Sequence, residues 1–119
     1  MISIRIRDDR SAFHPGEALS GKTSWLLDEQ PESVELRLFW FTRGRGTEDA
    51  EIVQTLTFEN PRQEDHRSFQ LRLPESPYSF SGNLISLIWA IEVVAKPGKI
   101  TGRIEFVLSP TNSEILLHP

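Results

Sequence analysis

The sequence predicts an all-β fold, an antiparallel β-sandwich of about seven or eight strands, on three observations. Apolar and polar residues alternate in short runs, the pattern of strands with one buried face. Proline and glycine stand at the joints between runs, at Pro15-Gly16, Pro74, Pro77, Gly82 and Pro97-Gly98. No segment carries an apolar stripe at helical spacing over three turns.

Each element follows in order. Ile2, Ile4 and Ile6 alternate with Ser3, Arg5 and Arg7 in a first strand, which the polar turn Asp8-Asp9-Arg10-Ser11 ends. After Pro15-Gly16, a strand from Glu17 to Leu27 has Leu19, Gly21, Thr23, Trp25 and Leu27 in one phase. A glycine inside a strand marks a bulge or a close backbone approach at Gly21. The loop Asp28–Glu32 precedes a third strand, in which Val34, Leu36, Leu38 and Trp40 face one side and Glu35, Arg37, Phe39 and Phe41 the other. Arg43 to Asp49 form a tip. A weaker strand covers Ile52 to Phe58, and Glu59 to Arg67 read as a polar loop. A strand from Phe69, the proline turn through Pro74 and Pro77, and a returning strand with Ile85, Leu87, Trp89, Ile91 and Val93 follow. The last clear strand carries Ile100, Gly102, Ile104, Phe106 and Leu108, and the tail from Ser113 to Pro119 offers Ile115-Leu116-Leu117 as a short edge strand. Trp25, Trp40 and Trp89 fall in phase with aliphatic neighbours and are assigned to the core.

Composition bounds the function. The 119 residues suit one domain, 1–119, able to bury roughly two thirds of its unfolded surface. A net charge of −4 with no basic run argues against wrapping nucleic acid. Cysteine is absent, which removes disulfides, thiolate nucleophiles and thiolate metal sites and points to a reducing, cytoplasmic compartment. The alternating N-terminus is unlike a signal peptide, and the apolar stretch from Leu84 to Ala95 contains Glu92 and is too short to span a membrane.

Three segments carry a family resemblance. Phe13-His14-Pro15-Gly16-Glu17-Ala18-Leu19-Ser20-Gly21 is similar to an aromatic, Pro-Gly-Glu, apolar, spaced-glycine pattern; Val34 to Trp40 is similar to the strand that follows it; Phe69 to Trp89 is similar to the strand, proline turn, glycine and returning aromatic strand. In this order they resemble the N-terminal half of the arrestin-like, immunoglobulin-like sandwiches, with similar segments in bacterial sporulation-control-type proteins and retromer cargo adaptors. The resemblance implies adaptor or scaffold work without catalysis. Arrestins have two such sandwiches and this chain has length for one, so no groove between domains and no phosphate-sensing residue is carried over.

The residues themselves offer little chemistry. Gly16-Glu17-Ala18-Leu19-Ser20-Gly21-Lys22-Thr23 fits the phosphate-loop pattern G-x-x-x-x-G-K-[ST], but that chemistry needs a strand before it and a helix after it. Pro15 and Pro31 leave room for neither, so the segment reads as a turn entering a strand. His14, His66 and His118 lie in separate segments, and no metal site is expected. Ser11, His14 and Asp9 lack a nucleophile turn and oxyanion donors, and Glu48 with Asp49 reads as solvated surface. No catalytic residue and no cofactor are assigned.

Two features point to partners. Arg43 and Arg45 flank Gly44 at a tip, where arginine forks suit an anion; the alternative is local pairing with Glu48, Asp49 or Glu51. With Leu38 and Trp40 facing inward, Phe39, Phe41 and Ile88 face outward as an apolar patch, a partner surface unless a loop or the Ile115–Leu117 tail covers it. The function read from the sequence is therefore non-catalytic binding of a protein partner, or a second copy of the chain, through a sheet edge or this apolar face. The alternative is an anion or small-molecule binder, or a small hydrolase, at the Arg43–Arg45 tip or the Lys22 region.

Overall fold

The computed structural model describes residues 1–46 and 48–117; Thr47, His118 and Pro119 lie outside the described residues. Among the described residues, ten strands form two sheets. They are β1 (Ile2–Ile6), β2 (Ala12–Phe13), β3 (Ala18–Leu26), β4 (Ser33–Gly44), β5 (Ala50–Phe58), β6 (Glu64–Arg72), β7 (Phe80–Gly82), β8 (Ile85–Lys96), β9 (Ile100–Leu108) and β10 (Ile115–Leu117). The smaller sheet runs β1-β3-β6, antiparallel throughout. In the larger sheet β5, β4 and β8 lie side by side, and the far edge of β8 pairs with β7 at one end and β9 along the rest. β10 adds to β7, and β2 adds to β9. The thinnest dimension, 19 Å, is that of two stacked sheets with their side chains.

Alternation builds the core. Leu36, Leu38, Trp89, Ile91, Val93, Phe106 and Leu108 of the larger sheet meet Ile6, Leu19, Trp25, Phe69 and Leu71 of the smaller one, all buried. Polar groups that enter this layer are satisfied: Trp89 Nε1 donates to the Pro77 carbonyl at 2.7 Å, and Thr23 Oγ1 to the Ser3 carbonyl at 2.9 Å. Buried Ser79 holds Leu108 through its hydroxyl and its main chain, at 2.9 and 2.8 Å.

The structure corrects the sequence reading in several places. Glu59 to Arg67 are not all loop, because β6 begins at Glu64 and pairs with β3 along its length, from Leu26↔Glu64 to Ala18↔Arg72. Main-chain pairing carries this strand past its apolar part. Of the two readings of Gly21, the close backbone approach holds and the bulge does not: it pairs regularly with Ile6 and Phe69, and a Cβ there would lie 2.5 Å from the Arg5 carbonyl oxygen and 2.7 Å from the Phe69 ring. The irregularity falls instead on β5, between the Leu38↔Gln54 and Phe39↔Ile52 pairs, where Val53 is the extra residue. Trp25 and Trp89 are core, and Trp40, half-buried, packs against it. The tail strand forms as read, pairing in parallel with Phe80–Gly82.

Candidate interaction surfaces

The outward face of the larger sheet gathers four of the five residues singled out in the sequence. Register sets Phe39 opposite Ala90, Phe41 opposite Ile88 and Arg43 opposite Ser86. The two phenylalanine rings stack with centroids 5.9 Å apart and planes 30° from parallel. Arg103 of β9 lies over both, 5.0 Å from the Phe39 centroid and 5.3 Å from that of Phe41, and Arg43 lies 5.3 Å from Phe41. Each guanidinium is anchored by a carboxylate, Arg103 by Glu92 at 3.1 Å and Arg43 by Glu105 at 3.2 Å. Planar cations over ring faces gain quadrupole attraction while their stems cover apolar area. Phe39 is consequently only 8 % exposed, and Phe41 and Ile88 are half-buried. Over the two phenylalanines, arginine side chains of the same sheet supply cover. Arg43 reaches across to Glu105 of β9 and, among the described residues, forms no ion pair with Glu48, Asp49 or Glu51. Arg45 stands apart at the exposed tip, where its N–H donates to the Leu84 carbonyl at 2.8 Å.

The edge beside this face is more open. Among the described residues β5 pairs only with β4, so its other side offers unpaired main-chain groups. Ile52 is 55 % and Val53 43 % exposed, and Glu51 is the one charge among its nine residues. The sequence reading placed a strand over Ile52 to Phe58 but assigned no partner-binding residue to it. The adjacent Ile52-Val53 pair, which breaks the apolar–polar alternation, was the signal of the bulge that turns both outward.

The chemical candidates disperse. Gly16 turns with φ +76°, and Lys22 and Thr23 continue in β3 with no helix after them. Thr23 points into the core and Lys22 outward. Ser11, His14 and Asp9 share no hydrogen bond among the described residues; His14 Nδ1 instead lies 3.8 Å from Glu17 Oε1. A hydrogen bond from Arg10, then one from the His14 main-chain N–H, hold the Glu17 carboxyl down to about 2. On the smaller sheet, Arg67 does the same for Asp65, with help from the Arg62 and His66 N–H groups, again to about 2. Both carboxylates are locked in ion pairs, an arrangement that suppresses proton transfer near neutral pH. No group of three His, Asp or Glu able to hold a metal occurs among the described residues, and no helix there is long and apolar enough to cross a membrane.

No family model matches the chain, and no curated protein matches it in sequence. Its fold is similar to that of the sporulation control protein Spo0M from Bacillus subtilis, with a TM-score of 0.67 at 14 % identity over 91 % of this chain and 48 % of that one. The chain thus spans about half the length of that protein. At this identity the likeness shows the fold alone. An alkylpurine DNA glycosylase, AlkC from Pseudomonas fluorescens, solved on DNA with an abasic-site analogue, overlays at a TM-score of 0.40 and 12 % identity, over 91 % of this chain and 30 % of that one.

Proposed function

We propose that this chain is a non-catalytic, cytoplasmic interaction domain, a single arrestin-like sandwich over 1–119, that captures an extended segment of a protein partner along β5. The observation that carries the reading is the unpaired, almost uncharged β5 edge with Ile52 and Val53 exposed. Main-chain hydrogen bonds to such an edge supply affinity, and side-chain contacts on either face supply selectivity. The partner strand lies next to the Phe39–Phe41–Ile88 face, because Ile52 is the cross-strand neighbour of Phe39 and Ala50 that of Phe41. An apolar residue facing Ile52 extends that covered patch, and Arg43 and Arg45 at the β4 end favour an acidic flank on the same segment. The absence of cysteine supports a reducing compartment.

The test is selection of extended peptides from a displayed library on the wild-type chain, followed by binding to an Ile52→Lys, Val53→Lys double variant. Inward or edge charge is the common natural device against strand addition. Selected peptides should bind the wild type and lose affinity for the double variant by about tenfold or more, roughly 1.4 kcal/mol. Peptides that bind both chains equally would place recognition elsewhere.

A further inference from the structure

The outward face of the smaller sheet carries a charge pattern that neither the strand-capture reading nor the core explains. Register lays out its side chains in rows across β1, β3 and β6: Ser3–Ser24–His66, then Arg5–Lys22–Ser68, then Ser20–Gln70. These three rows hold no carboxylate; Glu64 stands on the same face only in the end row, opposite Leu26, in a chain with 17 acidic residues against 13 basic ones. The outward arginines of the larger sheet behave differently, since Arg37, Arg43 and Arg103 each hold a glutamate. Lys22 holds no carboxylate among the described residues. Arg5 meets only Asp9, at 3.4 Å, with the two side chains 81 % and 79 % exposed, a contact that solvent and salt largely screen.

Arg5 and Lys22 stand directly opposite each other on neighbouring strands. Like charges in that relation destabilise a sheet, so the pair offers the fold nothing. It lines a groove of about 940 Å³ whose floor is Ser20, Lys22, Ser68 and Gln70 and whose wall is the turn Arg7–Asp9. Asp8 and Asp9 stand in that wall in left-handed conformations, at φ +60° and +52°. A second hollow, lined by Ser3, Arg5, Lys22, Ser24 and His66, adjoins it with no carboxylate in its lining.

We propose that this face binds a phosphate group, seated between Arg5 and Lys22 and hydrogen-bonded by the flanking serine hydroxyls. A tetrahedral dianion has enough acceptor oxygens to take an arginine fork, a lysine ammonium and two or three hydroxyls together, and it cancels the repulsion between the two cations. A planar carboxylate fills fewer of these donors. The same phosphate chemistry is offered by a soluble phosphate ester and by a lipid headgroup, and the test separates these sources.

The experiment has two arms on the full chain. In the first, inorganic phosphate is titrated at constant ionic strength while backbone amide resonances are followed. Saturable shifts centred on Arg5, Lys22, Ser24 and Ser68 are expected, weakened about tenfold or more in Arg5→Ser and in Lys22→Ser, the loss of one charge-assisted hydrogen bond. Both positions are exposed, and unchanged spectra away from the face show that the variants fold. In the second arm, phosphatidylcholine vesicles with and without phosphatidic acid are sedimented with wild type and Lys22→Ser. Binding in the first arm alone assigns a soluble ester; Lys22-dependent sedimentation with phosphatidic acid assigns a lipid phosphate. Absence of both, or shifts that Arg5→Ser and Lys22→Ser leave unchanged, overturns the proposal.

Discussion

The guanidinium of Arg103 lies 5.0 Å from the centre of the Phe39 ring, and Glu92 holds it there at 3.1 Å. A ring that alternation turns toward solvent is thereby roofed by a residue 64 positions later in the chain. Arg103→Ala should cost about 1 kcal/mol, the scale of an exposed cation–π contact, and should raise binding of a hydrophobic dye as Phe39 and Phe41 are uncovered. Phe39→Ser should cost more, roughly 3 kcal/mol, since the ring is nearly buried. Urea unfolding of the two variants checks both magnitudes; a neutral Phe39→Ser would show the ring to be free surface.

Two tryptophans face each other across β4 and β8 with opposite hydrogen-bond status. Trp89 Nε1 donates to the Pro77 carbonyl, whereas Trp40 Nε1 is buried without a hydrogen-bond partner among the described residues. Trp89→Phe removes ring volume from the core and a hydrogen bond, and should cost about 2–3 kcal/mol. Trp40→Phe removes an unsatisfied donor from a half-buried ring and should stay within about 1 kcal/mol of wild type. Denaturant midpoints for the pair test the contrast, and equal losses would contradict it.

Gly21 belongs to the apparent phosphate-loop pattern, but its role is steric. A methyl group there meets the Arg5 main-chain oxygen, which cannot rotate away, and the Phe69 ring. Gly21→Ala should destabilise by about 1–3 kcal/mol through overpacking. A melting curve unchanged by this substitution would show that β1 and β6 yield easily.

Acid should weaken the fold in a defined window. Glu17 is held from an ordinary value of 4.5, and Asp65 from 3.8, down to about 2. Depressed carboxyls stabilise the native state fully at neutral pH, and that contribution is lost as pH falls from about 4.5 toward 2. Stability against pH should therefore slope downward across this window, and the Glu17→Gln, Asp65→Asn double variant should be less stable at neutral pH with a flatter profile below. Parallel profiles for variant and wild type would refute this.

Strand identity was legible wherever one face is continuously buried. Leu36 and Leu38, Leu87 to Val93, and Ile104 to Leu108 announce the central strands of the larger sheet by alternation alone. Strands held mainly by main-chain pairing were not legible, which is why Glu64 to Arg67 read as loop although they pair with β3. Surface relationships set by register between distant segments were hidden for the same reason. Nothing local says that Arg103 roofs Phe39, that Arg43 finds Glu105, or that Arg5 lies opposite Lys22. Of the tip read over Arg43 to Asp49, Arg43 and Gly44 instead continue β4 and Thr47 lies outside the described residues; the contact of Arg45 with Leu84 depends on the β4–β8 pairing.

Hydrogen exchange along β5 tests the central claim most directly. In the free chain, the β5 amides on the side away from β4 should exchange quickly, because solvent is their only acceptor. Addition of a selected peptide should slow those amides between Ala50 and Phe58 and leave the outer face of β6 unchanged, and in the Ile52→Lys, Val53→Lys chain it should slow neither. Protection that appears elsewhere while β5 stays fast would contradict strand capture at this edge.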